Sequence, residues 1–221
     1  MPLTRRLFGS VALGGGALAL GPMLGLAQHS VARKPAEAVE EAQIYLIRGL
    51  FGVFSTGMDE MYAQFKSQGY GNTTIWSWTD VDQIAHDIVA GHAKGDNAHV
   101  VLIGHSLGSN AVVQVAARAD RASIPVDLAV TFDITEALQV PLNVARFVNF
   151  YQNNGFGRPA LEPAGFRGQF DNIDLSAQHQ LSHGNIDNAP QLQAYVRDRV
   201  YDITHSHVRV VAAKRKPASR G

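Results

Sequence analysis

The chain has 221 residues, 46% hydrophobic and 17% charged, a composition and length that suit one substantial globular domain and not two. It contains no cysteine, which excludes disulfides, cysteine-ligated zinc, iron–sulfur clusters and a cysteine nucleophile together. Net charge is zero, yet the stretch from Glu37 to Asp202 holds all 19 acidic residues against 10 basic ones, which argues against a nucleic-acid partner because phosphate binding needs a basic face.

The N-terminus reads Thr4-Arg5-Arg6-Leu7-Phe8, followed by an uncharged stretch from Gly9 to Ala27 rich in Gly, Ala and Leu. Two positive charges, an apolar region and the small-x-small end Gly25-Leu26-Ala27 form the pattern of an export signal, and the paired arginines resemble the twin-arginine type. Residues 1–27 are therefore expected to be removed on export to the periplasm or beyond, the alternative being a retained N-terminal anchor. Residues 28–42 then form a polar leader, residues 43–205 the domain, and residues 206–221 a basic, disordered tail carrying Lys214, Arg215, Lys216 and Arg220.

Within the domain, Gln43–Ile47 is a short apolar run that predicts a buried strand ending at Arg48-Gly49. A helix is expected over Gly57–Gln68, closed by Gly69 and Gly71, and a strand over the β-branched and aromatic run Thr73–Trp78. Val81, Ile84, Ala85, Ile88 and Val89 follow the i, i+3, i+4, i+7, i+8 pattern of an amphipathic helix, with Thr79 or Asp80 as N-cap. His99–Ile103 is the most strand-like run and leads into a small-residue helix, Leu107–Arg118. Further strands are expected at Val126–Phe132, Ala145–Tyr151 and Phe170–Leu175, then a terminal helix over Gln191–Asp202, with His205 and His207 beyond it on the surface. Alternating strands and helices imply an α/β fold with a mostly parallel sheet covered by helices on both faces.

Gly104-His105-Ser106-Leu107-Gly108 matches G-x-S-x-G at the junction of a strand and a helix. That is where a serine hydroxyl can stand exposed on a sharp turn, with Gly104 and Gly108 keeping side chains out of the crowded backbone. Leu107 opens the helix, so its N–H is free to face a developing oxyanion at the positive helix end. Serine is a weak nucleophile until a histidine takes its proton and a carboxylate holds that histidine. Asp133 ends the next strand and is the first candidate for the acid, with Asp171 and Asp174 as competitors. His183, on the loop before the last helix, is the first candidate for the base, with His179 the other. The four-residue spacing of those histidines would suit a metal only on a helix, and Ser182, Gly184 and Asn185 break one. The glycine-rich turn Arg48-Gly49-Leu50-Phe51-Gly52 is expected to supply a second oxyanion donor from the N–H of Leu50 or Phe51. Arg48 itself either orients a substrate carboxylate or pairs with an acidic neighbour. Phe51, Phe54, Trp76, Trp78, Tyr151 and Phe156 are the aromatic residues available to line a pocket.

The Gly104–Gly108 elbow, Phe132-Asp133 at a strand end and His183 before a final helix resemble the α/β-hydrolase superfamily, and within it small bacterial lipase- and thioesterase-like serine hydrolases. The resemblance spans roughly residues 43–205. It implies a minimal α/β-hydrolase fold without a separate lid domain, hydrolysis of carboxylic esters or thioesters through an acyl-enzyme, and no cofactor or metal. One departure is that the acid in this family more often follows the strand after the one that ends at Asp133. The leading expectation is an exported esterase for small-molecule esters, open enough to favour short or medium acyl groups. Thioester or amide hydrolysis by the same residues, or a non-catalytic binding module on the same fold, are the alternatives.

Overall fold

A computed structural model describes residues 42–50 and 55–214, with side chains as far as residue 205. The segment expected to be an export signal, nearly all of the expected leader, Phe51, Phe54 and residues 215–221 of the expected tail lie outside the described residues. Strands β1 (Ala42–Arg48), β2 (Thr73–Ser77), β3 (His99–His105), β4 (Leu128–Phe132), β5 (Arg146–Tyr151) and β6 (Gln169–Asp174) run in chain order. Helix α1 (Thr56–Ser67) separates β1 from β2, α2 (Val81–Ala93) separates β2 from β3, and α3 (Leu107–Arg121) separates β3 from β4. A 3₁₀ turn at Ile186–Asn188 leads into the last helix, α4 (Pro190–Lys214). All six strands form one parallel sheet in the order β2-β1-β3-β4-β5-β6.

The two-residue period of the strands sorts their side chains into two cores. Tyr45, Ile47, Val100 and Leu102 face Ile84 and Ile88 of α2 and Val112, Val115 and Ala119 of α3. Ile44, Leu46, Val101 and Ile103 face the opposite way, onto Met58, Met61 and Phe65 of α1 and Val196 and Val200 of α4. Helices therefore cover both faces, as the alternating pattern requires, and the central strands are apolar on both sides. The fold is α/β, and this arrangement fits a minimal α/β-hydrolase-like plan.

Several element boundaries differ from expectation. β1 already begins at Ala42, the last residue assigned to the leader. β4 begins at Leu128 instead of Val126, which forms only an isolated bridge to Val144. There the Asp127 carboxylate holds the start of β3 instead, bonding the His99 ring and the Val100 N–H. The last helix does not stop at Asp202. It runs through His205 and His207 to Lys214, so residues 206–214 of the expected tail are helical. No glycine or proline interrupts the run before Pro217, so the backbone meets no stop signal there.

Chain order sets where a site can form. After β1 the chain moves outward to β2 and then returns across β1 to β3, so the direction of winding reverses between β1 and β3. In parallel sheets the carboxyl ends of strands flanking such a reversal open into a crevice. The residues just beyond those ends are Gly49 and Leu50 after β1 and Ser106 after β3, with Asp133 beyond β4 and Gln152 beyond β5.

Candidate functional site

Ser106 sits between β3 and α3 with φ 60° and ψ −124°, a conformation disfavoured for a residue with a Cβ. Its surroundings hold it there. Its N–H bonds the Phe132 carbonyl of β4 at 2.9 Å, and its own carbonyl accepts from Ser109 N–H at 2.9 Å. The crowding that the two elbow glycines answer is real: a Cβ at Gly104 would overlap the Gly108 carbonyl, and one at Gly108 would overlap the Ile47 carbonyl of β1. Leu107 is the first helical residue, so its N–H has no carbonyl one turn back to bond.

His183 reaches Ser106 across the carboxyl edge of the sheet. Its Nε2 lies 2.9 Å from Ser106 Oγ, and its Nδ1 lies 3.0 Å from Asp133 Oδ2. A carboxylate can only accept, so Nδ1 carries the ring hydrogen and Nε2 is left to accept from the serine hydroxyl. Asp133 is completely buried, with φ 53°. Its N–H bonds the Phe150 carbonyl at 2.7 Å, and its Oδ1 accepts from Gln152 N–H at 2.7 Å. Both carboxylate oxygens are therefore engaged, which is the condition for keeping a buried carboxylate in one orientation.

The other candidates stand apart. Asp171 lies on edge strand β6 opposite Val148 and is exposed. Asp174 is exposed and accepts from the N–H and hydroxyl of Ser176, which hold its carboxyl below the usual range. His179 is exposed. Arg48 pairs with Asp59 of α1. Among the described residues no group of three or more His, Asp or Glu side chains is placed to hold a metal ion.

A cleft of about 590 Å³ opens beside Ser106 and His183, walled by Leu50, Leu107, Thr135, Phe156 and Gly184. No Lys, Arg, Asp or Glu is among the described residues that line it. Phe156 is 67% exposed and its ring centre lies 4.8 Å from that of His183. Of the other aromatic candidates, Trp76 and Trp78 pack instead against the core on the α2–α3 side of the sheet. Leu50 lines the cleft, while the N–H of its neighbour Gly49 is bonded to Ser55 Oγ at 3.0 Å.

Four residues that the sequence does not mark surround this constellation. Gln152 links Asp133, through its N–H, to the loop that carries His183, through its side-chain amide on the Leu181 carbonyl at 3.1 Å. His105, Ser55 and Asp187 form a buried cluster on the other side of His183. His105 occupies the variable position of the elbow motif, and Ser55 reads simply as a residue ahead of a helix, so neither carries a signal on its own.

No protein-family model matches the chain, and no curated protein matches it.

Proposed function

We propose that the protein is a serine hydrolase of carboxylic esters. The observation that carries this reading is the unbroken relay from Ser106 Oγ through His183 to Asp133, with links of 2.9 and 3.0 Å, at the floor of an apolar cleft. Ser106 attacks the ester carbonyl while His183 Nε2 takes its proton. The protonated His183 is stabilised by Asp133 and returns the proton to the departing alcohol, leaving an acyl group on Ser106. Water, deprotonated by the same His183, then attacks that acyl group, and His183 returns the proton to Ser106 Oγ as the acid is freed. The N–H of Leu107 at the start of α3, together with that of Leu50 or Phe51, is assigned to the oxyanion.

The uncharged cleft favours simple esters over coenzyme A thioesters, whose phosphates call for cationic side chains. The exposed rim of Leu50 and Phe156 suits an acyl group that enters from solvent. The N-terminal pattern, where it acts as an export signal, places this activity outside the cytoplasm.

A series of p-nitrophenyl esters of increasing acyl length tests the substrate class. Hydrolysis is expected to be fastest with short or medium chains, and Ser106→Ala is expected to lower kcat by about 10⁴-fold or more. A rate that climbs steadily toward insoluble long-chain triglycerides would overturn the acyl-length assignment. Wild-type hydrolysis that survives in Ser106→Ala would overturn the mechanism.

A further inference from the structure

We propose that His105 is a positioning residue, which fixes the base-bearing loop and the loop after β1 to the nucleophile elbow through one chain of hydrogen bonds. The chain runs from Gly49 N–H to Ser55 Oγ at 3.0 Å, from Ser55 to His105 Nδ1 at 2.8 Å, and from His105 Nε2 to the His183 carbonyl at 2.7 Å. This rests on reading Ser106 as nucleophile and His183 as base, but no step of that proton relay needs His105.

The groups at its two ends dictate the direction of each link. The His183 carbonyl can only accept, so His105 Nε2 carries the hydrogen. Gly49 N–H can only donate, so Ser55 accepts there and sends its own proton to His105 Nδ1. A neutral imidazole with one N–H satisfies both ends at once. Burial lowers His105 to about 4, against the hydrogen bond to His183 that raises it, and so keeps the ring in that neutral form. The ring is buried, as is the Ser55 hydroxyl, so an apolar residue at 105 would leave the hydroxyl proton and a carbonyl without their partner.

The position of this chain separates it from ordinary core packing. Residues 100 to 103 of β3 are Val, Val, Leu and Ile, all buried, so the buried polar ring of His105 breaks the apolar run of its own strand. His105 instead precedes the nucleophile, bonds the main chain of the base itself, and through Ser55 reaches Gly49, which begins the loop assigned to supply the second oxyanion donor. All three working parts of the site are thereby joined by groups that do not react. Ser55 stands at the N-cap position of α1 and makes no capping bond, because its hydroxyl is engaged in this chain.

The test is the rate constant for fluorophosphonate labelling of Ser106 in the full chain, measured beside kcat and KM for a short p-nitrophenyl ester and beside the thermal unfolding midpoint. His105→Phe keeps a buried ring but breaks both links. It is expected to slow labelling and lower kcat by about 10- to 100-fold in folded protein, with KM little changed. His105→Gln restores a donor toward the His183 carbonyl and is expected to recover most of that loss. Ser55→Ala leaves His105 on His183 and frees Gly49 N–H, and is expected to slow labelling by a smaller factor. A folded His105→Phe that labels at the wild-type rate, or a folded His105→Gln as slow as Phe, overturns the proposal. Where the Phe variant does not fold, Ser55→Ala decides, and a wild-type rate there overturns it. Folded wild-type protein that is not labelled at Ser106 overturns the hydrolase reading and this inference with it, whereas labelled wild type with indifferent variants overturns this inference alone.

Discussion

At the scale of single residues, the site combines backbone strain with buried ionisable groups. Ser106 and Asp133 both hold positive φ, and such positions each cost about 1–3 kcal/mol and persist only where neighbours over-determine them. The neighbours here are the β4 and β5 carbonyls that bind the two N–H groups. Asp187 is a different kind of expense. It is fully buried, and among the described residues neither of its oxygens finds a well-formed hydrogen bond. His105 Nδ1 lies 3.9 Å from Oδ2, while Glu60 of α1 and His183 act on it through space in opposite senses. Burial, above all, pushes its carboxyl up to about 7, although the N–H groups of Asp187 and Gly57 pull the other way. The proton is held more tightly in the folded chain than in the unfolded one. Stability that is present below about pH 4 is therefore lost as pH rises through about 7. Asp187→Asn is accordingly expected to raise the urea midpoint above wild type in mildly alkaline buffer, with the gain shrinking on acidification. Denaturation curves across pH check this, and a variant destabilised most in alkali would contradict it. His105 has the reverse sign. Its lowered value means that stability present above about pH 6.5 is lost as pH falls through about 4, on the order of 3 kcal/mol in all.

At the scale of elements, strand ends and the loops after them do the positioning. β3 and β4 end in register, so Ser106 and Asp133 emerge side by side, and β5 runs one residue further before Gln152 leaves the same edge. Gly157 shows how little room is left. A Cβ there would overlap Asp133 Oδ1 and come within 2.9 Å of Gln152 N, both of which are fixed. Gly157→Ala is expected to displace Asp133 and reduce kcat for ester hydrolysis by about 10- to 100-fold while the chain stays folded. Circular dichroism beside the kinetics checks it, and a folded variant with wild-type kcat would contradict the crowding argument.

The same scale explains what was legible in the sequence. Ser106 stood out because strand, turn and helix had to meet around two glycines. Asp133 and His183 stood out because each sits where a strand or loop ends on the carboxyl edge of the sheet, although spacing alone could not separate them from Asp171, Asp174 or His179. Ser55 and Asp187 were not legible, since their chemistry arises from contacts with His105 across 50 and 82 positions of chain. Gln152 was hidden for the same reason, because its role depends on β4 and β5 being neighbours. The length of α4 was readable and was missed, as no residue before Pro217 halts it.

At the scale of the whole molecule, the order β2-β1-β3-β4-β5-β6 places the winding reversal between β1 and β3, and with it the crevice that Leu50 and Ser106 share. Two fully apolar cores brace the sheet from both faces. The working residues can therefore sit on short connections without losing their geometry. The cleft beside them carries no fixed charge among its described lining residues, so the recognition it offers is apolar, with the Ser106 hydroxyl at its floor.

The most direct test of this account is fluorophosphonate labelling of the purified protein, with the modified residue located by mass spectrometry and Ser106→Ala and His183→Ala run in parallel. The account predicts modification at Ser106 alone, absent in Ser106→Ala and strongly suppressed in His183→Ala. Folded wild-type protein that takes up no label, or takes it up equally in the His183 variant, would contradict it.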